Sequence, residues 1–153
     1  MGCGFGLRQT GEYPFRTVFA GFPVTGAFGA ELARQLRSTG RLTVLTESAQ
    51  APQADVALDI LGEQRQRVVV GYNASGQVRE LQLRLTVRFR LRAQDGAEWI
   101  EPTELYQQRD LSFSETAALS KEIEEAMLYR DMQSDVIQQI VRRLARVKPP
   151  KAS

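Results

Sequence analysis

Leu81-Gln82-Leu83-Arg84-Leu85-Thr86-Val87-Arg88-Phe89-Arg90-Leu91-Arg92 is the stretch that decides how this chain folds. Its odd-numbered residues are all apolar and its even-numbered residues all polar. Successive side chains on a strand point to opposite faces, so the segment predicts a long strand with one buried face. Just before it, Tyr72-Asn73-Ala74-Ser75-Gly76-Gln77 supplies turn residues. Earlier still, Asp55 to Val70 carries Val56, Leu58 and Ile60 on one face and then Val68 to Val70, with an interruption at Gly62. Together these predict a hairpin whose first arm is long and bulged. Asp95-Gly96 marks the next tight turn, and Trp99 to Phe113 returns as a third arm with an irregular start at Pro102.

Working outward, Arg16 to Ala20 favours a short strand, and Gly21 to Gly26 turns the chain. Phe28, Leu32 and Leu36 recur every four residues and predict a first helix over roughly 26–39, with Gly40 placed for a left-handed C-cap. Arg41 to Thr46 reads as a short strand or as the extended exit from that helix. A long closing helix is predicted to start between Ser114 and Lys121 and to run to about Arg146. Its apolar stripe is Leu119, Ile123, Met127, Ile137, Ile140, Val141 and Leu144, and Pro149-Pro150 stops it. Arg142, Arg143, Arg146 and Lys148 suit the negative end of its dipole. The expected fold is α+β: a two-layer sandwich with two α-helices on one face of a mixed four-stranded sheet with long antiparallel strands. Residues 1–15 read as a glycine-rich tether, 16–148 as the domain and 149–153 as a tail.

Composition narrows the chemistry. The 153 residues are 42% hydrophobic and 25% charged with a net charge of +2, ordinary for one globular domain and too balanced for a general polyanion binder. Histidine is absent and cysteine occurs once, which removes the commonest general base, the commonest metal ligand and any internal disulfide. Glu124 and Glu125 are adjacent on the predicted helix, so their side chains diverge and cannot bracket one substrate. No nucleophile with a base and no metal cluster is visible, and a non-catalytic role is expected. No run approaches the roughly 18 apolar residues of a membrane-spanning helix.

The single cysteine, Cys3, lies between Gly2 and Gly4, small residues of the kind that flank a lipoprotein cleavage site; an incidental terminal thiol is the alternative. Its surroundings favour the former. Cys3-Gly4-Phe5-Gly6-Leu7-Arg8 followed by Pro14 resembles the mature start of the lipopolysaccharide-assembly lipoprotein family (LptE, also called RlpB). Leu32-Ala33-Arg34-Gln35-Leu36-Arg37-Ser38-Thr39-Gly40 is similar to the end of that family's first helix. The turn at Asn73 to Val78 leading into Leu83-Arg84-Leu85-Thr86-Val87 stands where the family's hairpin does. Glu124 to Met132 and Gln139-Ile140-Val141-Arg142-Arg143-Leu144 resemble its closing helix.

The resemblance implies a plug seated in the lumen of the LptD β-barrel. It would be tethered to the outer membrane on its periplasmic side by diacylglycerol and an N-acyl chain such as palmitate on Cys3, with no other cofactor. The pair would form the translocon that places lipopolysaccharide in the outer leaflet. Lys121 matches by position a family residue implicated in contacting lipopolysaccharide. A second such residue, on a hairpin loop, has no counterpart at Ala74 or Ser75, and Arg79 is the nearest substitute.

Independently of the family, Arg84, Arg88, Arg90 and Arg92 form a row whose planar guanidiniums suit phosphate or a partner surface. A solvated sheet face is the competing reading. Lys121 has its own bland reading, an exposed lysine paired with Glu124 or Glu125. A small basic-sheet nucleic-acid-binding module is the alternative function, disfavoured because the outward residues of Leu81 to Arg92 offer no aromatic on which bases could stack.

Overall fold

The computed structural model describes residues 13–112 and 118–150. In chain order the elements are β1 (Thr17–Gly21), α1 (Ala27–Ser38), β2 (Thr43–Leu45), β3 (Val56–Tyr72), β4 (Val78–Ala93), β5 (Glu98–Ser112) and α2 (Ala118–Arg146), with a 3-10 segment over Ser48–Gln53. The sheet has five strands in the order β2-β1-β3-β4-β5, not the expected four. The added strand is the weakly alternating stretch after α1. Its identity depends on pairing in parallel with β1, Thr17 opposite Thr43 and Phe19 opposite Leu45, and three residues carry too little periodicity to declare that. β1 also runs parallel to β3, whereas β3, β4 and β5 form the antiparallel meander.

The alternation of β4 does what its period demands. Leu83, Leu85, Val87, Phe89 and Leu91 are fully buried, as are Met132, Val136, Ile137, Ile140 and Leu144 of α2 and Leu32 and Leu36 of α1. These residues belong to one core, so both helices cover the same face of the sheet. Phe15 is buried and Tyr13 packs against that core, so the folded unit starts before the expected boundary at residue 15. Gly40 takes a positive φ of 72° after α1, and Gly76 and Gly96 do the same at the two meander turns, at 81° and 91°.

Polar groups stitch the layers. Asp55 accepts the Arg16 and Thr17 backbone N–H groups at 2.9 and 3.1 Å while its own N–H donates to Thr17 Oγ1 at 2.8 Å, which locks the starts of β1 and β3 together. Those backbone donors, Arg16 first, hold the Asp55 carboxyl below its usual range. Between the helices, buried Glu31 accepts from Gln133 Nε2 at 2.8 Å and Ser134 Oγ at 2.7 Å, and Gln133 Oε1 accepts from Arg65 at 3.3 Å. Each buried polar group here has a partner, as a low-dielectric interior requires.

The entry to α1 is tight. A Cβ at Gly29 would sit 1.7 Å from the Pro23 carbonyl oxygen, a backbone atom with no freedom to swing aside. Gly29→Ala is therefore expected to lower unfolding free energy by about 1–3 kcal/mol, the cost of overpacking. A urea midpoint unchanged from wild type would contradict the close approach.

Candidate functional site

The helices leave one sheet face open, and the polar residues of β4 line it. Register places Arg90 opposite Asp59 on β3, and Arg88 and Arg92 opposite Glu104 and Glu98 on β5. Asp59 Oδ2 accepts Arg90 Nε at 2.9 Å and Arg92 Nε at 2.6 Å, and Arg92 Nη2 reaches Oδ1 at 3.3 Å. Arg90 also lies 3.9 Å from Glu98. Burial pushes the Asp59 carboxyl up, but the hydrogen bonds from Arg92 and Arg90 outweigh it and hold the group below its ordinary value. In return, Asp59 raises the Arg92 guanidinium. Gly21 makes the arrangement possible, because a Cβ there would lie 2.2 Å from Asp59 Oδ1 and 2.9 Å from the Leu58 carbonyl.

The arginine row is thus divided. Arg90 and Arg92 are engaged inside the sheet, while Arg84 donates to Gln82 Oε1 at 2.8 Å and Arg88 is exposed. Among the described residues no carboxylate forms an ion pair with Arg84 or Arg88. Tyr106 of β5 faces Thr86 and is 49% exposed, so this face does carry an aromatic that β4 alone lacks. It is one ring among mixed charges, with its hydroxyl donating to Gln108 at 2.9 Å, and not the run of stacking surfaces that single-stranded nucleic acid needs.

The other candidates, Lys121 and Arg79, both lie toward the end of the sheet where the β3–β4 hairpin closes. Lys121, near the start of α2, donates to the Ser112 carbonyl at the end of β5 and lies 3.2 Å from Glu124. Ser112 faces Glu80, the residue after Arg79. Arg79 itself is exposed and falls in a register shift of β4, with Tyr72 opposite Val78 and Gly71 opposite Glu80. Exposed Tyr72, Val70, Ile123 and Met127 lie on the elements that converge at this end. Cys3 lies outside the described residues.

Sequence reading missed a second basic group. The bulge between Ile60 and Gly62 reverses the inside-outside parity of β3, so Glu63, Arg65 and Arg67 stand opposite the inward residues Val87, Leu85 and Leu83 of β4. Arg67 pairs with Glu125 at 3.0 Å, and the Arg65 guanidinium lies 5.0 Å from the centre of the Tyr129 ring. The Tyr129 hydroxyl donates to the Gln66 carbonyl at 2.8 Å, and burial, reinforced by Glu125, pushes its pKa up. The signal was the Leu61-Gly62 break, which showed that a bulge existed but not how many residues it inserted. Among the described residues no group of three or more His, Cys, Asp or Glu is placed to hold a metal ion, and no helix is long and apolar enough to cross a membrane.

A family model described as LptE, Lipopolysaccharide-assembly, matches residues 15–144. The chain belongs to this family. Consistent with that membership, it is 33% identical to lipoprotein B of Nitrosomonas europaea, whose solution structure superposes with a TM-score of 0.77 over 93% of this chain and 90% of that one. Rare lipoprotein B of Shewanella oneidensis is 16% identical, with a TM-score of 0.71 over 85% and 93% of the two chains. A minor lipoprotein of Acinetobacter baumannii is 22% identical, with a TM-score of 0.69 over 92% and 99%. At those identities the last two show a shared fold alone. LptE family membership places the chain in lipopolysaccharide assembly.

Asp59 offers a pH test of this LptE fold. Its depressed pKa means that its contribution is fully present above the ordinary carboxylate value of 3.8 and is lost as pH falls through the lower folded value. Asp59→Asn is expected to cost about 2 kcal/mol at neutral pH, the scale of charged hydrogen bonds. The difference from wild type should narrow below about pH 4. A difference constant down to pH 2 in urea titrations would contradict the pairing.

Proposed function

We propose that this LptE-family chain is an outer-membrane lipoprotein, acylated at Cys3, that seats as a plug in the lumen of the LptD barrel and assists lipopolysaccharide transport and assembly. Its task would be contact and not bond-making. The observation that carries the reading is the shape and chemistry of the open sheet face. β3 spans 17 residues, about 55 Å of extended chain, and its hairpin with β4 runs beyond the part of the sheet that β1 and β2 border. The open face mixes arginines, carboxylates and amides, which suits the polar interior that large membrane barrels present to their plugs.

On this reading Arg84 and Arg88, the cations of the row without a carboxylate ion pair, face the barrel wall, and Arg90 and Arg92 keep the sheet in register. Lys121 and Arg79 mark the end that contacts lipopolysaccharide, where exposed apolar side chains accompany the charge.

Coexpression with LptD in the outer membrane tests the partnership. Wild type is expected to co-purify stoichiometrically, and Arg84→Glu with Arg88→Glu to reduce recovery at least tenfold, because like-charge or unpaired contacts at an interface cost several kcal/mol. Failure of the wild-type pair to associate would remove the reading, and undiminished recovery of the double variant would move the interface off this face. Lys121→Ala with Arg79→Ala should lower the lipopolysaccharide retained by the purified complex severalfold without lowering its yield. Intact-mass measurement should find the three acyl chains on Cys3.

A further inference from the structure

At the end of the fold opposite the hairpin tip, α2 finishes at Arg146 beside the start of β5. A groove of about 400 Å³ lies there, lined by Ile100, Gln139, Arg142, Arg143, Arg146 and Val147. The three arginines are exposed, and among the described residues no carboxylate forms an ion pair with any of them. Ile100 and Val147 are half-buried against the core. The C-terminal dipole of α2 accounts for basic residues in its last turn, but not for their grouping around an apolar floor.

Immediately next to Ile100 on β5 is Trp99, the chain's one tryptophan, half-buried with its ring 6.2 Å from Phe15 in an edge-on contact. Trp99, Tyr13 and Phe15 line a second open cavity of about 610 Å³ with Arg16 and Asp55. Of the carboxylates near this end, Asp55 and Asp95 accept backbone N–H groups of residues 16, 17 and 97, Glu98 lies 3.9 Å from Arg90, and Glu101 is exposed on β5 beside Ile100. The described chain begins here, at Tyr13, and Cys3 is ten residues earlier. Even fully extended, that tether spans no more than about 35 Å.

We propose that this end is a membrane-contact surface for acidic phospholipid. Arg142, Arg143 and Arg146 take the headgroup phosphodiesters, while Trp99, Ile100 and Val147 enter the interfacial zone of the same leaflet. The guanidinium fork matches phosphate oxygens. Tryptophan beside aliphatic side chains fits the boundary between headgroups and acyl chains, where one edge of the ring stays wet. A short tether opening beside the groove would hold it against the bilayer, so a lipid anchor and a basic patch would act as paired signals. The orientation rests on the anchored-lipoprotein reading; the phospholipid contact does not need the anchor.

The full chain carrying Cys3→Ser, which cannot be acylated, separates the two. It should sediment with vesicles of phosphatidylcholine containing phosphatidylglycerol, far less with phosphatidylcholine alone, and Trp99 emission should move to shorter wavelength on binding. Arg142→Gln, Arg143→Gln and Arg146→Gln together should lower partitioning roughly a hundredfold, at about fivefold per guanidinium. Glutamine keeps helix propensity, so circular dichroism should be unchanged. Arg130→Gln, elsewhere on α2, serves as the charge control and should cost little. Equal binding to both vesicles, unshifted Trp99 emission, or full binding by the triple variant would each overturn the proposal. So would salt-sensitive binding of single-stranded RNA that the triple variant loses while vesicle binding persists. An unacylated Cys3 in the native protein would instead count against the anchor.

Discussion

Burial of the odd-numbered side chains of β4 beneath α2 is the contact on which the remaining arrangement depends. Leu83, Leu85, Val87, Phe89 and Leu91 lose all solvent exposure, and no other strand supplies an apolar face of that length. Each fully buried aliphatic or aromatic side chain contributes about 1.5–3 kcal/mol. A one-residue slip of β4 would exchange this row for four arginines and Thr86, so the register of the meander follows from the core and not from the turns alone. With β4 pinned, β3 and β5 must pair on either side, and the even-numbered residues must gather on the uncovered face.

That same constraint explains how the polar side is organised. The outward arginines cannot avoid one another along β4, and the sheet answers by placing Asp59, Glu98 and Glu104 in cross-strand positions. Asp59 is the most consequential of these, since it lies nearly buried with two guanidiniums on its oxygens and a glycine cleared for it on β1. The outcome is a face whose charges are largely balanced, which favours matching against a specific polar surface over indiscriminate attraction of polyanions.

Much of this was legible in the residues because it rests on period. Strict alternation located β4, the turn chemistry at Asn73 to Gln77 and Asp95-Gly96 located both meander turns, and four-residue spacing located α1. Elements defined by distant neighbours were harder. β2 is a strand through its parallel pairing with β1 across Thr43–Leu45, to which the Thr43 N–H adds a bond to Arg16 O at 2.9 Å, and the expected four-stranded sheet omitted it. Asp59 looked like one polar residue in a bulged arm, and nothing local announces that Arg90 and Arg92 will converge on it from 31 and 33 residues away. Arg65 and Arg67 changed sides because a bulge's residue count sets parity, which composition does not encode. Lys121 was found by resemblance, but its bond to the Ser112 carbonyl, which ties α2 to the end of β5, was visible only in three dimensions.

Among the described residues β5 borders the sheet with no strand beyond it, and its 15 residues would ordinarily invite another copy to add on. Pro102 has no amide hydrogen to offer there, and Glu98, Glu101, Glu104 and Asp110 spread negative charge along the same rim. Propagation from chain to chain into a filament is thereby discouraged, since an incoming strand would meet a gap in the ladder and a row of like charge at the same border.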